Sequence, residues 1–409
     1  MRISLKTARF TSTTKMKKAL LLLVAALLVP NHILADGDED ESSTISADYN
    51  PIPSSVQMLN IAPEARGTSM GDAGVASTPD INSQFWNPAK YIRMESKAGA
   101  AISITPWLRN IISDINLFTL MGYYKINDRN AVSAGIRYFS LGKLEFFDAQ
   151  GNQQGDYKPN EFCIDAAYSL ALSQVMSGAI AIRYIHSDLG FQIDDDGYSK
   201  GNAFAADIAF YFKKPIDIQG SKADIMAGIN ISNIGSKITY DNGVTNEYLP
   251  ANLKLGVGFW YDIDQYNRIG ATVDANKLLV PTPDYRATSN DEETMYEKRQ
   301  QYYSKSTVSA IFSSFSDAPR GAKEELEEID VCAGIEYTYN NMFSARLGYH
   351  NNPENKGNLK YGTAGLGVKY QMIDVSASYV FAVGNAASNS ALANTVRISL
   401  GFDLGKILK

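Results

Sequence analysis

The chain has 409 residues, a formal net charge of −6, 31 glycines and an aromatic fraction of 11% in which tyrosine is commonest. This length allows one large domain or two ordinary ones. The acidic balance offers no basic surface for nucleic acid, so no nucleic-acid partner is expected. Only two cysteines are present, Cys163 and Cys332, so disulfide bonds do not hold the fold together. We expect both to be separate free thiols packed inside the protein.

The N-terminus has the pattern of a secretory signal peptide. Three lysines precede the apolar run 19–29, and Ala35 offers a cleavage point. The run is too short for a membrane-spanning helix, which needs about 20 residues. We therefore predict a signal peptide over residues 1–35, with either Met1 or Met16 as its start. No later stretch of the sequence is long and apolar enough for a transmembrane helix, so an exported membrane protein of this kind must be a closed barrel.

Strand-like segments with one apolar and one polar face recur along the chain. In the last of them Val396, Ile398 and Leu400 alternate with Arg397 and Ser399, and successive strand side chains point to opposite faces. Fourteen such strands are predicted, at approximately 99–105, 115–125, 131–140, 161–172, 177–187, 203–213, 223–232, 251–261, 268–275, 330–339, 342–350, 362–370, 372–382 and 394–404. Apolar residues outside and polar residues inside are typical of a membrane barrel. The predicted fold is all-β, a 14-stranded antiparallel transmembrane β-barrel.

The lengths of the connections give a second, independent indication. Those after the second, fourth, eighth, tenth and twelfth strands are short, whereas most of the others are long. Short periplasmic turns that alternate with long outer loops are typical of outer-membrane barrels. An even number of strands then predicts that both termini are periplasmic. The connection 213–222, after the sixth strand, is longer than this rule predicts.

The longest loop, residues 276–329, carries two helix signals. The first helix is predicted over residues 291–303, and the second is capped by Ser316 and runs to Glu328. A charged run such as 323–328 is usually a solvated helix face. Its helical order inside a long exposed loop nevertheless makes this loop a candidate surface for a partner.

Two motifs match known sites only in part. Residues 67–71 read Gly-Thr-Ser-Met-Gly, the letters of a nucleophile elbow, but no strand precedes them and no helical pattern follows. The acidic stretch 194–197 lacks the alternating ligands and the glutamate of a calcium loop. We therefore predict no catalytic, metal-binding or cofactor-binding residues, and we interpret the glycines as a tightly packed segment.

The compact, irregular residues 59–95 precede the first strand and follow residues 36–58, which are predicted to be a mobile periplasmic stretch. The lumen of a 14-stranded barrel, here residues 96–409, is wide enough to need filling. Residues 59–95 are well placed to be a hatch, or plug, in that lumen. The expected plug residues come from a small-residue part and an aromatic Asn-Pro turn: Gly67, Met70, Gly71, Gly74, Phe85, Trp86, Asn87 and Pro88.

These same residues resemble a known family. Gly67 to Ala76 and Asn87-Pro88-Ala89 are similar to the hatch of the long-chain fatty-acid transporter class of outer-membrane proteins. Within that class the chain more closely resembles the PorV family of the type IX secretion system of Bacteroidota. The stretches that carry this likeness are Asn60 to Gly67, Met70 to Ala76, Asn276 to Pro283 and Ser314 to Pro319.

The resemblance implies a non-enzymatic outer-membrane component that needs no cofactor. Such a protein receives cargo proteins by their C-terminal signal domains from the translocon barrel, and passes them to a surface attachment complex that includes a sortase-like protease. Outer-membrane lipid would surround the barrel.

The long loop is the expected contact surface for these partners, because its apolar residues can bury against another protein. Those residues are Leu278, Leu279, Val280, Pro281, Tyr302, Tyr303, Phe315 and Leu326. The alternative function is a channel for small hydrophobic molecules such as long-chain fatty acids, which predicts an apolar pocket between hatch and wall.

Overall fold

The structure, a computed structural model, describes residues 49–109, 114–147, 153–190, 199–284, 292–383 and 394–405. Fourteen of the strands in these residues close into one barrel, and two form a small separate sheet. The strands are β1 (Ala98–Pro106), β2 (Ile115–Lys125), β3 (Asn130–Leu141), β4 (Leu144–Phe147), β5 (Gln153–Tyr157), β6 (Asn160–Ala171), β7 (Met176–Asp188), β8 (Gly201–Ile218), β9 (Ser221–Gly235), β10 (Asn252–Asp262), β11 (Asn267–Leu278), β12 (Ile329–Tyr339), β13 (Phe343–Asn351), β14 (Lys360–Tyr370), β15 (Ile373–Ala382) and β16 (Thr395–Asp403). The predicted 14-stranded barrel is confirmed.

Each barrel strand pairs antiparallel with the barrel strands before and after it in the chain. β3 pairs with β6, because β4 and β5 form a separate hairpin that is not part of the barrel wall. β1 closes the barrel against β16, with Gly99 opposite Asp403 and Ile104 opposite Ile398. Closure leaves no unpaired edge in the wall, as a sheet surrounded by hydrocarbon requires.

The two faces of the wall differ as the alternation predicts. In β16 the apolar Val396 and Ile398 are exposed on the outside, while Arg397 on the inside is 3% exposed. β10 repeats the pattern, with Val257 outside and Lys254 buried inside. Apolar side chains on the outer face are stabilised by lipid, and polar side chains inside need partners within the lumen.

The barrel has a short-turn end and a long-loop end. The short turns contain two to four residues and are 126–129, 172–175, 219–220, 263–266, 340–342 and 371–372. The other connections are longer, and we call residues 279–328, between β11 and β12, the long loop. β8 and β9 extend as far as a two-residue turn at 219–220. The connection 213–222 that looked too long in the sequence is therefore mostly strand, and the short-long alternation is regular.

The helices are short and lie in two places, the segment before β1 and the long loop. They are α1 (Ala65–Thr68), α2 (Ser83–Trp86), α3 (Glu292–Ser304), α4 (Thr307–Ser313) and α5 (Ala322–Glu327), with 3-10 turns at Gln57–Leu59, Pro88–Arg93 and Glu354–Lys356. In the part of the chain that the structure describes, no helix is long and apolar enough to cross a membrane.

The long loop contains the first predicted helix, as α3, and one helix that was not predicted, α4. The prediction that Ser316 caps the last helix is wrong. α5 begins only at Ala322, after Gly321 with a φ of 71°. A residue in this left-handed region cannot continue a right-handed helix, so the chain turns at Gly321 before the helix starts.

The described chain begins and ends at opposite ends of the barrel. The start of β1 and the end of β16 meet at the short-turn end, as an even number of strands requires. Residues 49–56, which we call the strap, instead bond connections at the long-loop end. The strap and the end of β16 therefore lie at opposite ends of the barrel, because residues 57–93 cross the lumen before β1 begins. That both termini are periplasmic stays a prediction.

Candidate functional site

Residues 57–93, which we call the lumenal segment, run inside the barrel. Their polar atoms bond four inward-facing side chains and one backbone carbonyl of strands on different sides of the wall. These bonds are Ala65 N to Ser399 Oγ on β16 (2.9 Å), Gly71 N to Thr363 Oγ1 on β14 (3.0 Å), Gly74 N to Asp274 Oδ2 on β11 (2.6 Å), Gln84 Nε2 to Asp165 Oδ1 on β6 (2.5 Å) and Asn87 Nδ2 to the Phe210 carbonyl on β8 (2.9 Å). A segment that bonds so many sides of a closed wall lies within the lumen.

Glycines in the wall let the backbone of the lumenal segment approach closely. A Cβ on Gly348 of β13 would lie 2.0 Å from the Gly71 nitrogen and 2.1 Å from the Met70 carbonyl carbon. On the other side, a Cβ on Gly228 of β9 would lie 2.4 Å from the Val75 carbonyl oxygen. Both distances are far below van der Waals contact, so no larger residue fits at either position unless the backbone moves.

Trp86 joins the two distinctive parts of the lumenal segment. Its ring packs over Gly67 and Gly74, where a Cβ would lie 2.4 Å and 2.3 Å from ring atoms. Its Nε1 donates to Glu64 Oε1 at 2.8 Å, and the same carboxylate caps α1 by accepting from the Gly67 nitrogen at 2.6 Å. The glycines and the aromatic pair, predicted separately to be plug residues, are therefore one packed unit.

The Asn-Pro-Ala motif begins a helical turn. Asn87 Oδ1 accepts from the Ala89 nitrogen at 3.1 Å, and Pro88 takes the first position of the 3-10 turn Pro88–Arg93. Proline suits this position because its missing N–H would have no partner there. Ser169 and Ser177, on β6 and β7, donate to the carbonyls of Pro88 and Ala89 at 2.8 Å and 2.7 Å. The turn is thereby fixed to the wall.

A partly buried ion-pair network connects the lumenal segment to β12 and β13. Arg66 contacts Glu336 at 3.0 Å and Asp80 at 2.7 Å, and Arg346 Nε bonds Glu336 at 2.6 Å. Beside this network a cavity of about 440 Å³ faces the short-turn end. Charged side chains of both the segment and the wall line it, including Arg66, Asp80, Glu336, Arg346 and Asp374. It is not the apolar pocket that the channel alternative predicts.

At the other end of the lumen, apolar side chains of the lumenal segment pack against apolar side chains of the wall. Met58 and Leu59 are buried in a cluster with Leu117 of β2, Phe139 of β3 and Ile185 of β7. The side chains of the chain itself occupy this apolar region.

The serine of the partial nucleophile motif has a structural contact. Ser69 is buried, and its Oγ donates to the Arg66 carbonyl at 2.7 Å. Among the described residues no histidine hydrogen-bonds to it. The acidic stretch 194–197 lies outside the described residues.

Buried ion pairs attach the long loop to neighbouring residues at the long-loop end of the barrel. Lys277 Nζ, at the end of β11, bonds Glu328 at 2.5 Å, and Lys356 Nζ bonds Glu324 at 2.7 Å and Glu328 at 3.0 Å. Burial of the Glu324 carboxyl raises its pKa, but hydrogen bonds from Lys356 and Asn50 outweigh this effect and lower the pKa to about 2. The run 323–328 is therefore not simply a solvated face, because two of its glutamates are buried and paired.

Several of the expected partner-contact residues lie in the interior instead. Leu279 and Val280 are 3% and 1% exposed, and Pro281 is also buried. Val280 packs with Tyr248 and Ala310, against the partly buried Tyr302 and Tyr303. Leu278 is also partly buried. The expectation that Leu279, Val280 and Pro281 contact a partner is corrected, because all three are buried and Val280 belongs to the small core that holds the long loop together.

The apolar side chains that do face outward belong to α4, α5 and the link between them. Val308 and Phe312, four residues apart on α4, are 62% and 74% exposed, and Phe315 and Leu326 are 50% and 70% exposed. Phe315 and Leu326 were predicted, whereas Val308 and Phe312 were missed. Their spacing was a usable signal, since Val308, Phe312 and Phe315 follow the i, i+4, i+7 pattern of a helix face after the cap Ser306.

A closed, lipid-facing barrel of 14 strands whose lumen contains its own N-terminal segment defines this protein as an outer-membrane β-barrel. The model of the PorV family, described as type IX secretion system protein PorV, matches residues 44–285, more than half of the chain. The chain belongs to the PorV family.

Comparison with curated proteins finds no match. Solved structures of similar fold include the toluene transporters TbuX of Ralstonia pickettii (10% identity, 83% of this chain and 97% of the other, TM-score 0.43) and TodX of P. putida (9%, 84% and 99%, 0.46). A Pseudomonas aeruginosa FadL homologue is similar at 10% identity over 87% of this chain and 99% of its own, with a TM-score of 0.41.

Proposed function

We propose that this chain is a non-enzymatic component of the type IX secretion system that works through its outer surface. Membership of the PorV family supports the system. In this proposal the protein receives cargo by the C-terminal signal domain from the translocon barrel, and passes it to an attachment complex with a sortase-like protease. The lumenal segment, including the eight predicted plug residues, acts as the hatch.

The observation that carries the proposal is the exposed apolar group on the long loop. Phe312 and Leu326 are at least 70% exposed, yet the loop beneath them is fixed by buried ion pairs and a tyrosine-rich core. Rigid aromatic and aliphatic anchors of this kind commonly dominate the binding energy of protein interfaces. A preordered loop also loses less conformational entropy on binding.

The proposed orientation follows from the connections. Short turns face the periplasm and long loops face the outside in barrels of this class. The signal peptide over residues 1–35 would deliver the chain to the periplasm for assembly. The long loop would then meet its partners at the cell surface.

The test is a double variant, Phe312→Ser with Leu326→Ser, compared with Lys323→Ser. Lys323 is exposed in the same loop but is polar, which makes it a matched control. Tagged protein is purified from detergent-solubilised outer membrane, and the bound proteins are quantified by mass spectrometry. Loss of two anchors worth about 2 kcal/mol each should lower cargo recovery by well over tenfold. Recovery equal to that of the control would remove this surface from the proposal.

Fatty-acid uptake by cells distinguishes this proposal from the alternative of a hydrophobic channel. The charged lining of the cavity at the short-turn end gives no support to an apolar passage. We expect uptake of a labelled long-chain fatty acid to be unchanged when the gene is deleted. Uptake that falls on deletion would favour the channel.

A further inference from the structure

The strap, residues 49–56, is bonded to two different outer connections. The Asn50 nitrogen donates to the Asn355 carbonyl, between β13 and β14, at 2.8 Å. The Asn50 side-chain amide donates to the Pro283 carbonyl and to Glu324 Oε1, both at 2.9 Å and both in the long loop. Asn50 is buried. One residue, through its backbone and its side chain, therefore joins the N-terminal stretch to two connections at the same end of the barrel.

A third connection at that end holds the other part of the strap. The Ser55 nitrogen donates to the Tyr248 carbonyl at 2.9 Å, and its hydroxyl bonds Glu247. Both partners lie between β9 and β10, in a long connection. Val56 then enters the apolar cluster that includes Ile115, at the first position of β2. All these contacts place the strap at the long-loop end.

From there the chain travels to the opposite end. Near the close of the lumenal segment, Arg93 donates to the carbonyls of Ser173, Gln174 and Met176 at 2.6–2.8 Å. These residues form and flank the short turn between β6 and β7. The Lys125 ammonium, next to another short turn, donates to the Met94 carbonyl at 2.8 Å. The polypeptide thus crosses the lumen from the long-loop end to the short-turn end before β1 starts.

We propose that the strap lies at the extracellular face of the outer membrane and forms one joined surface with the long loop. This inference rests on the orientation given under the proposed function, with short turns in the periplasm. It differs from the simple rule that the chain before the first strand of an even-stranded barrel stays periplasmic. A protein docked on the long loop would then also touch, or pull on, the N-terminal end of the hatch.

Cysteine labelling of intact cells tests this placement. The reporters are Tyr49→Cys in the strap and Gln57→Cys directly after it, both at exposed positions. Lys323→Cys marks the long loop and Asp128→Cys marks a short turn, again at exposed positions. The native Cys163 and Cys332 are buried, so wild-type protein gives a low background. The probe is a membrane-impermeant biotin maleimide, and the readout is biotin per purified barrel before and after cell lysis.

We expect both reporters to label on intact cells about as strongly as Lys323→Cys, and at least about tenfold above wild type, because only exposed thiols react. Asp128→Cys should label only after lysis. If the loop marker labels on intact cells but the two reporters require lysis, the strap placement is overturned while the orientation stands. If the short-turn marker labels on intact cells and the loop marker does not, the orientation in the proposed function is wrong.

Discussion

Trp86→Ala should loosen the lumenal segment while leaving the wall of the barrel closed. The ring of Trp86 covers Gly67 and Gly74, and its Nε1 bonds the buried Glu64. The strand ladder does not depend on these contacts, since every pairing in the wall is made by the strands themselves. Truncation therefore weakens the packing of the lumenal segment in the barrel more than it weakens the sheet.

The expected magnitude follows from the burial of this side chain, which is 2% exposed. Truncating a buried tryptophan to alanine costs about 3–5 kcal/mol, because contacts are lost and a cavity remains. The Glu64 carboxylate also loses a donor, which adds to the cost. At about 1.4 kcal/mol for each factor of ten, the population with a displaced segment should rise by about 100- to 4,000-fold.

Single-channel recording in planar lipid bilayers is the assay. We expect rare openings for the wild type and frequent openings for Trp86→Ala. Phe343→Ala is the matched control, because it removes an aromatic ring from the exposed outer face of β13. Heat-modifiable migration on gels verifies that each variant keeps its barrel. Equal open probability in Trp86→Ala and the wild type, with the barrel intact, would refute the view that this ring seats the segment.

Three further predictions concern the packing of Gly348 against the lumenal segment, the contact of Asn50 with the long loop, and the effect of low pH on Glu324. Gly348→Ala should lower the free energy of unfolding by about 1–3 kcal/mol, because its Cβ would overlap Gly71, and the measurement is a lower urea midpoint. Gly155→Ala, whose Cβ meets no atom within 4 Å, should leave the midpoint unchanged. Asn50→Ala should speed trypsin cleavage of the long loop severalfold, and unchanged cleavage would argue against the strap as its anchor. The lowered pKa of Glu324 contributes stability above about pH 4.5 that is lost towards pH 2, so pepsin should cut the wild-type loop faster as the pH falls, with a weaker pH dependence in Glu324→Gln.

The wall could be predicted from the sequence because its rule is local. Several strands show a clean period of two in side-chain polarity, and this pattern predicts the fourteen strands and the closed barrel from the chain alone. The rule fails where strands leave the membrane. Lys213, Lys214 and Pro215 interrupt the alternation within β8, so the strand was predicted to end too early. The hairpin of β4 and β5 was missed because it stands outside the wall.

The candidate site was harder to predict because its contacts are distant in sequence. Glu324 was assigned to a solvated run, and only the fold brings Lys356 to it from 32 residues away. Val280 looked like an anchor for a partner because it is apolar and in a loop, but Tyr248 covers it. The glycines and Trp86 are predicted separately as plug residues, and nothing in the sequence shows that they touch one another.

The contacts inside the lumen support the proposal that partners bind at the outer loops. Asp165, Asp274 and Glu336 face inward, and each takes hydrogen bonds from the lumenal segment. Removing the whole segment would break all of these hydrogen bonds at once, and a hydrogen bond to a charged group contributes about 1.5–3 kcal/mol. Wholesale displacement of the hatch is therefore unfavourable, whereas the outer loops can bind a partner with the lumen still filled. Local movement near the strap is the least costly change, since its attachment there depends on a few hydrogen bonds that a docked protein could replace.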